Sequence, residues 1–279
     1  MSRTGEKLVD IREATVQVLC DRPELVVTWA RLRTEGGPPL HVHRGHADTF
    51  AILAGELHVG LGSEESVLGE GRAWSAPVGV AHGYRHEGTD EVTFLNLHTP
   101  GMGFAEYLFG QATAEEVDQF EPPEDGGRPA SDAIVLDFAN EGETITQTPE
   151  RDVRILVDLP ELVLTWTRYD EGEEGPGPHI HREHLDGFFI LTGQLVFRVG
   201  PDLDPVTAGP GTFVLAPPEV VHTFRNEGPG PATWLNLHAP SAGFADFLRD
   251  TSRAWDSFDA PADGGRPASE AIVQHVHPA

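Results

Sequence analysis

The chain is written twice. PELVVTWAR at 23–31 returns as PELVLTWTR at 160–168, and HVHRGHADTFAILAGEL at 41–57 returns as HIHREHLDGFFILTGQL at 179–195. FLNLHTPGMGFAEYL at 94–108 returns as WLNLHAPSAGFADFL at 234–248, and DGGRPAS occurs at 125–131 and again at 263–269. The offset is 137 between Trp29 and Trp166, 138 between His41 and His179, and 140 between His82 and His222, a drift that small insertions explain. Self-similarity sustained at one period marks a duplicated structural unit. Each copy of roughly 140 residues is long enough to bury a core of its own. The join falls near 136–145, which predicts an N-terminal domain over 1–139 and a C-terminal domain over 140–279.

Within one copy the pattern is that of short strands. Residues 25–32 (LVVTWARL) are β-rich, 48–54 and 56–61 flank Gly55, 80–86 alternate, and 91–98 end just before Pro100. The 31 Gly and 23 Pro are spread along the chain rather than clustered, which suits many turns and argues against long helices. GFAEYLFGQ in the first copy and GFADFLRD in the second carry apolar residues at helical spacing, and each reads as a short helix closing its domain. An all-β antiparallel barrel or jelly roll follows for each copy. Trp29 and Trp166 are expected to fill the barrel interiors, and the DGGRPAS segments to form turns.

Charge excludes some partners. With 19 basic and 45 acidic residues the net charge is −26, whereas nucleic acid and anionic membranes both ask for a basic face. Cys20 is the single cysteine, so neither an intrachain disulfide nor a thiolate metal cluster is expected. No apolar run approaches the ~20 residues of a membrane helix, and the polar start lacks a signal-peptide core. A cytoplasmic protein, monomeric or a homodimer, is the expectation. There is no P-loop, dinucleotide fingerprint or GxSxG elbow to support nucleotide or acyl-serine chemistry.

The histidines carry the chemistry. His41 and His43 stand two apart on an expected strand, so they share a face with Cα atoms ~6.6 Å apart and can meet at one ion. Asp48 follows after a turn, in phase with Phe50 and Ile52, and His82 lies on a later strand in phase with Tyr84 and His86. The second copy repeats this with His179, His181, Asp186 and His222. His46 and His184 stand two residues before each aspartate, either as alternative ligands or as partners of a ligand. His86, Tyr84, His98 and His238 read as cavity or core residues, His58 as a surface residue, and His275 and His277 as a tail without a role.

These residues resemble the cupin superfamily. Its first motif, two histidines one residue apart, a carboxylate and then a glycine, is matched by His41, His43, Asp48 and Gly55 and by His179, His181, Asp186 and Gly193. Its second motif is matched by Gly71, Pro77, Gly79 and His82, with His86 in place of asparagine, and by Gly211, Pro217, His222 and Asn226, with Glu219 in place of glycine. The carboxylate is aspartate where the family usually has glutamate, and Glu35 and Glu173 stand where a glycine should open the first motif.

The resemblance implies two tandem jelly-roll barrels of six to eight strands, each with a metal at its mouth held by three histidines and a carboxylate. One divalent transition metal per domain is expected; such ligands suit Fe, Mn, Ni, Cu or Zn without choosing among them. An apolar lining from Phe50, Ile52 and Leu53, and from Phe188, Phe189 and Ile190, favours an organic small-molecule substrate. The leading expectation is an oxygenase similar to the quercetin dioxygenase-like bicupins, with Asp48 or Asp186 accepting the substrate's proton. A decarboxylase or isomerase on the same scaffold, and a non-catalytic binding protein, are the alternatives.

Overall fold

The computed structural model of the chain describes residues 8–11 and 14–276, and His277 lies outside them. The chain divides into two compact units, Met1–Asn140 and Glu141–Ala279. In the first, strands β1 (Leu8–Ile11), β2 (Ala14–Arg22), β3 (Leu25–Leu32), β4 (Ala47–Ala54), β5 (Glu56–Leu61), β6 (Glu64–Gly69), β7 (Arg72–Ala76), β8 (His82–Arg85) and β9 (Val92–Thr99) precede helix α1 (Phe104–Leu108), and β10 (Ile134–Asp137) follows it. They form a seven-stranded sheet in the order β1-β2-β3-β9-β4-β7-β10 and a three-stranded sheet in the order β6-β5-β8.

The second unit repeats the plan. It runs through β11 (Glu143–Gln147), β12 (Arg151–Leu159), β13 (Leu162–Tyr169), β14 (His179–Ile180), β15 (Leu185–Thr192), β16 (Leu195–Val199), β17 (Asp204–Ala208), β18 (Thr212–Ala216), β19 (His222–Arg225), β20 (Ala232–Ala239), α2 (Phe244–Arg249), β21 (Phe258–Asp259) and β22 (Ile272–His275). Its sheets are ordered β11-β12-β13-β20-β15-β18-β22 and β17-β16-β19-β14-β21. The all-β tandem architecture and the short helix after each last long strand are as the sequence implies. Among the described residues, however, each unit's strands are shared between two sheets instead of one closed ring.

The interior lies where the two sheets face each other. In the first unit Phe50, Ile52, Leu57, Val59, Trp74 and Phe94 meet there; in the second, Phe188, Ile190, Phe197, Val214, Phe224 and Trp234 do. Burying a side chain of this kind contributes about 1.5–3 kcal/mol. The chain changes sheet between β4 and β5 at Gly55, whose φ is +75° and whose added Cβ would stand 2.4 Å from the Glu91 carbonyl oxygen. Gly193 makes the same corner in the second unit, at φ +70°.

Two expectations need correction. Trp29 and Trp166 are buried, but on β3 it is Ala30 and on β13 it is Tyr169 that join the interior clusters, so alternation turns both tryptophans to the other face of the sheet. Leu53 and Phe189 likewise fall out of phase with Phe50 and Phe188. His41 and His43 are not on a long strand either. They lie on a loop after Pro38 and Pro39, where no N–H is offered to a ladder, pinned by two isolated bridges, His41 to His82 and Val42 to Phe120. Among the described residues no helix is long and apolar enough to cross a membrane.

Candidate metal centres

Four side chains converge in each unit: His41, His43, Asp48 and His82, and again His179, His181, Asp186 and His222. All are buried, and one ligand atom from each lies within 4.8 Å of the others. Asp48 stands at the start of β4 opposite Ala76, and His82 starts β8. The main chain at His41 pairs with the main chain at His82, with N–H to O distances of 2.8 Å both ways, which places two histidine side chains side by side.

Every histidine of the first quartet is oriented through Nδ1. His41 Nδ1 donates to the Pro39 carbonyl at 2.8 Å, His82 Nδ1 to the Val80 carbonyl at 2.9 Å and His43 Nδ1 to the Asp118 carbonyl at 2.9 Å. A carbonyl only accepts, so Nδ1 carries a proton, and in the neutral form of each ring it is the Nε2 lone pair that turns inward. The second quartet does the same with the Gly177, Asp256 and Val220 carbonyls. Burial, and then the His82 ring, lowers His41 to about 4. Burial lowers His179 to about 3.

These lone pairs face a carboxylate. His82 Nε2 is 3.3 Å and His43 Nε2 3.7 Å from Asp48 Oδ2; His222 and His181 stand 3.2 and 3.5 Å from Asp186 Oδ2. Burial alone pushes Asp48 up, but His98, His43 and His82 outweigh it and hold the carboxyl well below its usual range. The Nε2 atoms of His43 and His181 have no hydrogen-bond partner although fully buried. Acceptors gathered around an ionised carboxylate repel one another unless a cation sits among them. The donor set, three imidazole nitrogens and one carboxylate oxygen, fits a divalent transition metal.

His46 and His184 are not members of these quartets. His46 Nδ1 lies 3.2 Å from Asp118 Oδ2, its Nε2 is 3.0 Å from His98 Nδ1, and His98 Nε2 is 2.8 Å from Asn96 Oδ1. Asn96 Nδ2 in turn donates to Asp48 Oδ1, so an unbroken polar run joins the quartet's carboxylate to Asp118. Asp186, Asn236, His238, His184 and Asp256 form the same run. Burial lowers His46 and His98 to about 3. Two neutral rings thus bring two protons to three contacts whose outer partners only accept. His43, His46 and His98 also form a second close set of ring nitrogens that shares His43 with the quartet.

Asn96, Asn236, Asp118 and Asp256 were not singled out by motif. Asp118 and Asp256 stand at offset 138, the offset of the His-x-His pairs, in the repeated D-x-F of DQF and DSF. That was the available signal.

A cavity of about 560 Å³ opens on the first quartet. It is lined by His41, Asp48, Asn96 and His98 on the polar side and by Ala30, Leu32, Phe50, Phe104 and Leu108 among others on the apolar side, with Tyr84 between. None of the described residues lining it is Lys or Arg.

Comparison with known proteins gives the same two-fold pattern: the family profile described as a cupin domain matches residues 28–98 and 165–238. The chain belongs to the cupin family. This two-domain cupin is 23% identical over 221 residues to quercetin 2,3-dioxygenase of Bacillus subtilis (strain 168), a match covering 67% of this chain and 65% of that protein. It therefore spans less than two thirds of that relative's length. Among solved structures it is similar to a cupin 2 conserved barrel domain protein from Leptotrichia buccalis, with 14% identity, a TM-score of 0.56 and coverage of 82% of this chain and 89% of that one. It is also similar to Bacillus subtilis oxalate decarboxylase studied for its Mn(II) centres, at 14% identity and TM-score 0.57, covering 94% and 89% of the two chains. At these identities the structural likeness is one of fold.

Proposed function

We propose that each domain of this cupin holds one divalent transition metal, through His41, His43, Asp48 and His82 in the first and His179, His181, Asp186 and His222 in the second, and that the protein is an oxygenase of small aromatic or enolic compounds. The observation that carries the metal is the inward set of Nε2 atoms around a buried aspartate, with His43 and His181 Nε2 buried and unpartnered. A redox-active ion bound there supplies Lewis-acid polarisation of an enol or phenol oxygen and electrons for dioxygen chemistry.

The chain's own residues supply the rest. Phe50, Leu32, Leu108 and Phe104 offer an apolar berth for a ring beside the quartet. Asp48, which lines the cavity, is the carboxylate placed to accept the proton of the substrate hydroxyl. Asn96 keeps the carboxylate turned to the site through its Oδ1. The likeness to a quercetin dioxygenase supports this reading. A decarboxylase of small dianions is the second reading, favoured by the likeness to oxalate decarboxylase. On that reading the metal itself would be the dianion's cationic partner, since the described lining has no Lys or Arg.

Elemental analysis of the purified protein, followed by oxygen-electrode assays over a panel of flavonols and catechols, tests the proposal. Near two equivalents of metal and oxygen uptake with a panel member are expected. No uptake with any bound metal overturns it; turnover without oxygen identifies a decarboxylase or isomerase instead. Tight ligand binding indifferent to chelation, with no turnover, identifies a binding protein.

A further inference from the structure

The two quartets match atom for atom, but the space beside them does not. Counting by the repeat offsets, Ala14, Leu32, Phe94 and Val117 of the first domain correspond to Arg151, Tyr169, Trp234 and Trp255 of the second. Ala14 and Leu32 line the cavity of the first domain. In the second, the Arg151 guanidinium lies 4.4 Å from the Tyr169 ring centroid, and its Nε donates to Glu173 Oε2 at 2.5 Å. Tyr169 packs edge-on against Trp234, with centroids 4.9 Å apart, inside the interior cluster. Phe224, in the place of Tyr84, lies so close to Gly175 that a Cβ there would come within 2.7 Å of its ring.

Trp255 fills the remaining side. Its ring stacks on Phe247 at 5.1 Å, contacts Phe244 at 4.9 Å, and stands 5.0 Å from His181. The matching residue of the first domain is Val117, a smaller side chain, and there Phe104, Tyr107 and Gln119 line the cavity.

We infer that only the first domain admits the organic substrate, a flat and uncharged aromatic molecule, while the second domain's site is closed to it by its own aromatic and Arg151–Glu173 contacts. This rests on reading the quartets as metal centres that serve an organic substrate. Charge favours the class: Glu35 and Asp48 line the first cavity and none of its described lining residues is Lys or Arg, so away from the metal an anion gains no fixed positive charge from the lining.

Quercetin serves as the probe. The full-length, metal-loaded protein is titrated with it under anaerobic conditions by absorbance and equilibrium dialysis, with metal content measured on the same samples. One quercetin per chain is expected. The double variant Ala14→Arg/Leu32→Tyr, which copies residues the second domain already accommodates, is expected to weaken binding at least tenfold without loss of metal. Arg151→Ala/Tyr169→Leu is expected to add a second equivalent. Two equivalents in the wild type, undiminished binding in the first variant, or no quercetin bound overturns the inference. Oxygen uptake is read separately: one quercetin bound without uptake sinks the oxygenase reading and leaves the asymmetry standing, and two bound with uptake does the reverse.

Discussion

The main-chain carbonyl of Asp118 accepts the Nδ1 proton of His43 at 2.9 Å, across 75 residues of chain. The same residue's carboxylate takes the N–H groups of Arg44 and Gly45 at 2.8 and 2.6 Å and faces His46 Nδ1 at 3.2 Å. One aspartate thus sets the tautomer of a quartet histidine and the path of the loop that carries it. Asp256 does this for His181 through the N–H groups of Arg182 and Glu183 and through His184.

Asp118→Ala keeps the carbonyl that meets His43 but removes the carboxylate that holds Arg44, Gly45 and His46, so it is expected to weaken metal binding in the first domain alone, by about 10-fold, the low end of the usual cost of disturbing a ligand's support. Asp256→Ala is expected to do so in the second. Competition with a calibrated chelator measures both. Asp118→Asn, which keeps an oxygen for the Arg44 and Gly45 N–H groups, should recover part of the affinity. Equal weakening of both sites by either single change would contradict the assignment.

His41→Ala and His179→Ala are each expected to remove one metal equivalent per chain and leave the other, since the two quartets share no residue. Elemental analysis with circular dichroism as a folding control decides it. Full metal content in both variants would remove these residues from the ligand sets.

Acid should destabilise the metal-free protein over a defined range. Burial holds His46, His98 and His179 near 3 and His41 and His184 near 4, against 6.5 in the unfolded chain. Below 6.5 the unfolded chain takes up protons that the folded chain refuses, so stability is full above 6.5 and falls as pH drops toward 4 to 3. Asp48 and Asp186 act in the same sense: held well below 3.8 when folded, they contribute above 3.8 and lose that contribution in stronger acid. Calorimetry of EDTA-treated protein should show Tm falling between pH 6.5 and 4.5. A flat or rising Tm would show that these rings are not held neutral.

Much of this was legible in the residues. The repeat exposes the duplication, and each quartet lies within one short motif plus a single later histidine, so its members can be picked out without coordinates. Asp118 and Asp256 escaped because they sit in a loop after the closing helix, and nothing local in D-x-F announces a contact with a histidine 75 residues away. Trp29 and Trp166 were put on the wrong face for a different reason. From Leu25 to Ala30 every residue is buried, so both faces of β3 look apolar and alternation loses its meaning as an inside-outside signal. The inequality of the two cavities was hidden in pairs such as Leu32 and Tyr169, each an ordinary core residue on its own.

Gly55 offers a test of the corner that brings β4 and β5 together. At φ +75° an L side chain is strained, and its Cβ would stand 2.4 Å from the Glu91 carbonyl oxygen and 2.9 Å from Val92 Cα, both backbone atoms unable to swing away. Gly71 has nearly the same backbone, at φ +81°, but nothing within 4 Å of an added Cβ. Gly71→Ala is thus expected to cost only the left-handed strain, about 1–2 kcal/mol. Gly55→Ala adds the displacement of β9 to that strain and is expected to cost clearly more, with a lower urea midpoint. Because β9 also carries Asn96 and His98, the Gly55→Ala protein should bind metal more weakly in the first domain, and the Gly71→Ala protein should not. Equal destabilisation by the two substitutions would mean that the close approach at Glu91 is not what requires glycine at this corner.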